Sequence, residues 1–452
     1  MNADKTINDR QQGHDTQRED DRHGGVGGHA GNQGHGGMPA LDIMLRGIAG
    51  RIVHGILSRM RHGELGVQMP NGQARVYRGP EPGPQASVIM HRPLRMLWKV
   101  SSGGALGLGE SWLAGDWDSD DLAGFLRLLA LNETAFGDTA RPGALQRLLA
   151  TIAHGRKRNT RKGSRRNIAA HYDLGNPFYA QWLDPGMTYS SAVFDQSEDS
   201  LEQAQQRKYD RILDQLGLQP GEHILEIGCG WGGLAEAAAR RGARVTGLTL
   251  SREQLVYARE RMQRAGLSES VELRLEDYRD VRGQFDHVVS IEMFEAVGEE
   301  FWPTYFRCVH DRLRPGGRAA LQVITIDDGW FGQYQRTPDF IQRYIFPGGM
   351  LPTAKGFTSL ARSCGLQLAD MNFYGEHYAR TLRDWHERFN TAWENIHPLG
   401  FDEHFKRMWR YYLAYCEAGF LTGRINLMQV GLVKAHGPEA TGPVSLANAG
   451  TA

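Results

Sequence analysis

The chain predicts a doubly wound α/β domain preceded by a small mixed α+β domain, and three observations carry that prediction. Beyond Asn167, segments of strand and helix character alternate, the rhythm of a parallel sheet covered by helices on both faces. Between the first such strand and the next helix lie Gly228, Gly230, Gly232 and Gly233, a loop in which backbone can approach a ligand where any Cβ would clash. The length, 452 residues, exceeds what one compact core takes up and suits two or three domains.

The elements follow in chain order. Residues 1–40 are polar and glycine-rich, with HGGVGGHAGNQGHGG at 23–37, and read as a disordered tail. His14, His23, His29 and His35 are unevenly spaced on that glycine chain, which argues against a metal site. Apolar residues return at Leu41 and open the small domain, 41–150, with an amphipathic helix at 43–60 and strands at 74–77 and 87–89. The text GLGESWLAGDWDSDDLAGFLRLLAL then leads into a helix capped by Asp118, Ser119 or Asp120. Its Leu122, Phe125, Leu126, Leu128 and Leu129 recur at helical spacing.

A linker at 151–167 contains RKRNTRKGSRR (156–166), seven basic residues in eleven without an acid. It reads equally as a solvated hinge or as a patch for anionic lipid headgroups, worth up to about 1 kcal/mol per basic residue near such a surface. Nucleic acid is disfavoured, because no aromatic residues interleave with the charges. The α/β domain, 168–436, brings a helix at 201–216, a strand at 223–226, a helix at 234–241, a strand at 244–248, a helix at 252–265 and strands at 271–274, 287–291 and 318–323. Residues 325–398 break the rhythm with aromatics and proline and are the place for an inserted cap. A helix at 402–420 and a strand at 426–433 follow, then a small-residue tail, 437–452.

Composition excludes several classes. Lys and Arg number 52, as do Asp and Glu, so no global field draws the chain to nucleic acid and any such attraction is local. No window approaches the roughly 20 continuous apolar residues of a transmembrane helix. The N-terminus lacks an apolar signal core, and the prediction is a cytoplasmic protein. Cys229, Cys308, Cys364 and Cys416 form no CxxC pair, so neither a disulfide framework nor a cysteine zinc site is suggested.

The glycine loop satisfies GxGxxG through Gly228, Gly230 and Gly233, which alone does not separate a dinucleotide site from an S-adenosylmethionine site. Two features favour the second. Glu226 ends the strand before Gly228, where its carboxylate can meet the ammonium of a methionine moiety but would repel a pyrophosphate. The next strand runs out through Thr249, Leu250 and Ser251 without an acid for a ribose hydroxyl, and Glu253 falls in the following helix's first turn. Gln254 has two readings, a ribose contact or the partner of Ser251 in an S-x-x-Q capping box. LEDYR (275–279) follows the third strand, where an adenine pocket closes. SIEMFEAVG (290–298) follows the fourth, at the strand ends that face a reaction site. There Glu292 and Glu295 either share a helix face at the mouth or are plain helix N-terminal acids.

Together with HYDLGNPFY (171–179), LDPGMTYSSA (183–192) and YIFPGGMLP (344–352), these segments resemble the cyclopropane-fatty-acyl-phospholipid synthases and their methyltransferase relatives, in order, from about residue 167 to 433. GLGESWLAGDWDSDDL resembles the small N-terminal domain of longer bacterial members. The resemblance implies a Rossmann-like class I methyltransferase domain with an inserted helical and aromatic cap. It also implies that the cis double bond of a phospholipid acyl chain takes the methyl of S-adenosylmethionine, and that the resulting cation closes to a cyclopropane by losing a proton to a bound bicarbonate. The protein then supplies mainly alignment, a dry slot and charge stabilisation.

Residue by residue, the resemblance assigns Tyr189, Ser190, Gly228, Gly230, Gly232, Thr249, Leu250 and Gln254 to the cofactor, with Asp277 and Tyr278 on its adenine side. It assigns Glu295, Tyr378 and the backbone of Ile324 to the bicarbonate site, with Ser191 and Gln322 at two positions that depart from the family. Well-known cyclopropane synthases read Tyr-Ser-Cys-Ala and Leu-His-Thr-Ile where this chain has Ser191 and Gln322. Both can still hydrogen-bond an anion, but Gln supplies neither a proton nor positive charge. The same cation can therefore be resolved to a methylene-branched or, after reduction, methyl-branched chain. Cyclopropanation is the first expectation, fatty-acyl C-methylation the second, and a lipid or cofactor binder without turnover the third.

Trp330, Phe331, Tyr334, Phe340, Tyr344 and Phe346 are candidates for the acyl slot, against the alternative that they build the cap's own core. The expected partner is the phospholipid surface, met peripherally at the inner face of the membrane through 156–166. A homodimer is compatible with such an enzyme, and no metal is expected.

Overall fold

The computed structural model describes residues 38–137 and 174–435. The glycine- and histidine-rich tail, the basic run 156–166, the first residues of HYDLGNPFY and the C-terminal tail lie outside the described residues. Arg46–Ala452 forms one compact unit that contains two sheets.

A four-stranded sheet, ordered β2-β1-β3-β4, comprises β1 (His62–Gln68), β2 (Ala74–Arg78), β3 (Glu81–Met90) and β4 (Trp117–Asp118). The sequence reading does not include β1, because Gly63 and Gly66 interrupt HGELGVQ and leave only Leu65 and Val67 to mark a buried face. Helix α1 (Met38–Leu57) precedes the sheet, and α2 (Pro93–Leu113) and α3 (Leu122–Leu131) cover it. The glycines of α2 conceal it from a propensity reading. Gly104 kinks the helix at φ 58°, and a Cβ on Gly109 would press on Phe340 and Tyr411. Asp121, and none of the three residues expected, caps α3 by accepting from Gly124 N at 2.8 Å. Asp118 instead lies in β4, where it pairs with His91 and Arg407.

The larger sheet has seven strands in the order β10-β11-β9-β8-β5-β6-β7. β5 (His223–Ile227), β6 (Arg244–Thr249), β7 (Val271–Leu275), β8 (Phe285–Ile291) and β9 (Leu313–Ile326) run parallel, while β10 (Leu366–Phe373) and β11 (Ile425–Lys434) close one edge antiparallel. The helices are α4 (Leu201–Leu216), α5 (Gly233–Arg240), α6 (Arg252–Arg264), α7 (Trp302–Arg312), α8 (Asp328–Arg336), α9 (Ala354–Ser363), α10 (Gly375–Thr391) and α11 (Glu403–Leu421). β5 lies between β6 and β8, so the chain leaves it to opposite sides. Such a switch point opens a crevice at the strands' carboxyl ends.

The interruption expected at 325–398 is shorter in the structure. α8 and the turn Ile341–Ile345 depart from the α/β rhythm, but α9 and β10 return the chain to the sheet edge. β10 escaped notice because it buries only Leu366, and an edge strand of that kind carries little periodicity.

One hydrophobic cluster runs from Val53, Trp112, Trp117 and Phe125 beside the small sheet to Phe178, Trp182, Trp385 and Trp409 beside the large one. Arg407 of α11 fastens the two, donating to Trp112 O at 2.7 Å, Asp118 Oδ1 at 2.8 Å and Trp117 O at 3.0 Å, while Trp112 Nε1 donates back to Arg407 O. The small sheet is thereby held where its apolar face can form part of a shared cavity. No helix among the described residues is long and apolar enough to cross a membrane.

Candidate active site

A cavity of about 1130 Å³ starts at the carboxyl ends of β5 and β8. It continues into a chamber walled by Val53, Leu65, Val88, Phe125 and Leu129 of the small-sheet layer. Drug-sized ligands occupy pockets of about 300–1,000 Å³, so this space suits a nucleoside together with an apolar chain.

At the strand end, Glu226 lines the cavity with Oε2 buried and without a hydrogen-bond partner. Burial pushes its carboxyl up to about 8, against the pull of Arg261 and Lys208. A ligand ammonium would supply the missing donor and restore the charge. Gly228, Gly230 and Gly232 have φ of 89°, 51° and 83°. A Cβ on Gly230 would meet nothing within 4 Å, so the space before that backbone is open. Gly232 lies off the cavity wall and close to Ala258 of α6, so it serves the turn.

Thr249, Leu250 and Gln254 line the wall, and Thr249 Oγ1 donates to Gln254 Oε1 at 3.1 Å. Gln254 N also donates to Ser251 Oγ at 3.3 Å, so the cap and the cavity position coexist. Tyr278 reaches the wall, whereas Asp277 stands behind it, its carboxylate gripped by Arg279 at 2.8 and 2.6 Å. The unpartnered Glu226 oxygen, the open glycine backbone and the polar strand end fit S-adenosylmethionine.

The opposite wall holds two carboxylates. Glu292 Oε1 accepts from Ser191 N at 2.8 Å and Gln322 Nε2 at 2.7 Å, and Oε2 accepts from the Tyr378 hydroxyl at 2.6 Å. Gln429 Nε2 donates to Gln322 Oε1 at 2.8 Å and fixes that amide's orientation. Glu295 Oε1 accepts from Ile324 N at 2.5 Å, and its Oε2 is buried without a partner. Burial raises both carboxyls above the ordinary range. Glu295 is pushed up to about 8 with the charge of Glu292 adding to the effect, whereas the donors and Lys208 hold Glu292 back. Burial and Glu292 likewise keep Tyr378 protonated, as its donor role requires.

The structure therefore gathers Ser191, Gln322 and Tyr378 around a carboxylate of the chain itself, Glu292, while Ile324 donates to Glu295. Glu292 shares no helix face with Glu295. It precedes a short turn, Phe294–Ala296, and its own φ is 49°, left-handed and unusual for a non-glycine residue. Ser191 contributes its backbone N–H, while its hydroxyl donates to Ala192 O at 3.0 Å. A bicarbonate ion does not fit these residues as they stand, because the expected donors are engaged and the Glu292 carboxylate occupies the point on which three of them converge.

Lys208 went unread in the sequence. It is fully buried on α4 and donates from Nζ to Ser190 Oγ at 2.6 Å, and burial pulls its ammonium down to about 7. Its neighbour Gln205 donates to Ser190 O at 2.8 Å. The signal was present, since Leu201, Ala204, Gln205, Lys208 and Ile212 recur on one buried stripe, where polar residues need a reason. Tyr189 lines the cavity and its hydroxyl pairs with that of Tyr412 at 2.9 Å. Of the six aromatics proposed for the acyl slot, Trp330, Tyr334 and Phe346 line the cavity. Phe340 and Tyr344 pack on each other, with Phe340 also against Tyr411, and Phe331 packs on the core beneath the large sheet.

A family model described as mycolic acid cyclopropane synthetase matches residues 159–430. The chain is 43% identical over 363 residues to the tuberculostearic acid methyltransferase UfaA1 of Mycobacterium tuberculosis, covering 78% of this chain and 84% of that one. It is 39% identical over 341 residues to the cyclopropane-fatty-acyl-phospholipid synthase of Escherichia coli, covering 74% and 84%. Among solved structures, the mycolic acid cyclopropane synthase CmaA1 complexed with SAH and CTAB is similar with a TM-score of 0.56 and 30% identity, over 60% of this chain and 98% of that one.

Proposed function

Because the chain belongs to the mycolic acid cyclopropane synthetase family, and is thus an S-adenosylmethionine-dependent lipid methyltransferase, we propose that it methylates the cis double bond of unsaturated phospholipid acyl chains and resolves the cation to a methylene branch. One observation carries this reading: a single cavity joins the glycine loop to an apolar chamber, with Glu292 and Glu295 on the wall between them.

S-adenosylmethionine, when bound, supplies an electrophilic methyl group. The chain's residues do the rest. Glu226 and the open backbone at Gly230 orient the donor, and the chamber holds the alkene against it and excludes water, which would otherwise capture a cation. The Glu292 carboxylate faces the place where positive charge develops.

The branched outcome is favoured by the tuberculostearic acid methyltransferase relative and by Gln322, which stands where the resembling cyclopropane synthases carry His. Ring closure is the second reading, favoured by the cyclopropane-fatty-acyl-phospholipid synthase relative.

In the same reading, the enzyme meets its substrate peripherally at a cytoplasmic membrane face, with 156–166 as the electrostatic contact. Ile52 and Trp98 support an entry route, since both line the cavity yet are 44% and 68% exposed, as residues at its mouth would be. Incubation with S-adenosylmethionine and vesicles of unsaturated phospholipid tests the proposal. Each modified acyl chain should gain one CH2 with olefinic methylene signals by proton NMR. Upfield cyclopropane signals would replace the branched reading by the second, and absence of any mass gain would remove both.

A further inference from the structure

We propose that the Glu292 carboxylate is the general base of the reaction and stands where the resemblance puts a bicarbonate ion. The proposal rests on the reading of this chain as a lipid methyltransferase.

Four groups would have cradled an external anion: Ser191 N–H, the Gln322 side chain, the Tyr378 hydroxyl and Ile324 N–H. The first three donate to Glu292, at 2.8, 2.7 and 2.6 Å, and the fourth to Glu295. The three donors come from separate parts of the chain, the 189–191 loop, β9 and α10, and converge on one carboxylate at the end of β8. The backbone reaches this arrangement only through a left-handed φ of 49° at Glu292. Strain of this kind persists only where the surroundings over-determine it. Glu292 also lines the cavity, so the carboxylate is both anchored and in reach of a bound chain.

The step balances with this group as base. The π pair of the alkene forms the bond to the methyl carbon, and the C–S pair stays on sulfur. Positive charge appears on the adjoining chain carbon, and a 1,2-hydride shift can move it to the methyl-bearing carbon. Glu292 then takes a proton from the new methyl group, and the C–H pair becomes the π bond of a methylene branch. Without the shift, the same pair becomes the third bond of a ring. The protonated acid returns its proton to solvent after product leaves.

The test uses the full-length enzyme and the variants Glu292→Gln and Glu292→Gly, with S-adenosylmethionine binding by calorimetry as the check that each is folded. Glycine accepts the left-handed φ and empties the anion cradle, whereas glutamine fills it without a base. Turnover of the native enzyme on unsaturated phospholipid vesicles should be the same in carbon-dioxide-free buffer and with added bicarbonate. Glu292→Gln should lose about 100-fold or more in either buffer, within the range for removing a general base. Glu292→Gly should lose as much without bicarbonate and recover with it. Saturation-transfer NMR with 13C-bicarbonate should detect binding to Glu292→Gly and none to the native chain.

Native turnover that rises with bicarbonate, binding of 13C-bicarbonate by the native chain, or full activity of Glu292→Gln would each overturn the proposal. Should no unsaturated lipid be turned over, the functional reading falls by itself. The NMR comparison then still decides whether Glu292 fills the anion site, and binding by the native chain overturns that assignment.

Discussion

The Tyr378 hydroxyl on α10 donates to Glu292 Oε2 at 2.6 Å, joining residues 86 apart in sequence. A hydrogen bond to an ionised group stabilises the charged form relative to the protonated one. Tyr378→Phe removes a bond made to the charged form, so the Glu292 carboxyl, already raised by burial, rises further. Ser191 N–H, Gln322 and Lys208 still favour its ionised form, and Glu295 opposes it when charged. A base works only when deprotonated, so the acid limb of the kcat profile should move to higher pH. An unchanged profile, measured with lipid vesicles across the pH range, would separate Tyr378 from the base.

Gly230 gives a sharper test of the cofactor end than a bulky replacement would. Its φ is 51°, and a Cβ there meets no protein atom within 4 Å, so Gly230→Ala should fold at a cost of about 1–2 kcal/mol. The added methyl projects into space that the donor needs. S-adenosylmethionine affinity should fall by about tenfold or more, a loss of about 1.4 kcal/mol, while the melting temperature of the apoprotein changes little. Calorimetric titration and thermal melting on the same sample check both halves.

The two carboxyls pushed up to about 8, Glu226 and Glu295, make stability depend on pH. In the unfolded chain each releases its proton near the ordinary value of 4.5. Between that value and about 8 the native state binds more protons, so their contribution is whole below 4.5 and is lost as pH rises through about 8. Lys208 has the opposite slope above about 7, because its ammonium is depressed. In the double variant Glu226→Gln, Glu295→Gln the carboxyl contribution disappears. The melting temperature of this apoprotein, minus that of the native one, should therefore increase from pH 5 to pH 8. A difference that is flat or falls would show that the two groups titrate normally.

Much of this arrangement was legible in the sequence, for reasons that also explain what was not. β5, the glycine turn, β6 and α6 are encoded locally, by apolar runs, glycines that need positive φ, and the Ser251 cap. The convergence of Ser191, Gln322, Ile324 and Tyr378 followed only from resemblance, since residues so far apart in the chain carry no local signal of meeting. Glu292 was visible but misplaced, because its spacing from Glu295 suggests a helix face, and the left-handed backbone that turns it toward Tyr378 has no signature in a non-glycine residue. α2 and β1 were hidden by glycines whose role is close packing, a property of the tertiary neighbours. The aromatic segment supplies only part of the cavity wall, and much of the rest comes from the small-sheet layer, which the sequence presents only as a core.

Lys208 tests whether charge or packing organises the reaction end. Its ammonium is buried, its hydrogen bond goes to Ser190 Oγ at 2.6 Å, and Glu292, Asp184 and Glu226 are near enough to favour its charged form. Reciprocally, Lys208 favours ionisation of Glu226 and Glu292. Lys208→Met keeps the length and apolar stem but removes the charge. Removing one member of a buried charge cluster leaves its carboxylate partners uncompensated and Ser190 Oγ without its donor, so the melting temperature should fall. Glu292 and Glu226 lose a cation at the same time and should be harder to ionise. Turnover at neutral pH should therefore drop, the acid limb should move upward, and S-adenosylmethionine binding should weaken. A fall in activity with an unmoved acid limb would instead make Lys208 a support for the 188–191 loop alone. An upward shift of the acid limb identifies the ammonium as the group that keeps the base ionised, because a packing defect alone lowers turnover without moving the limb.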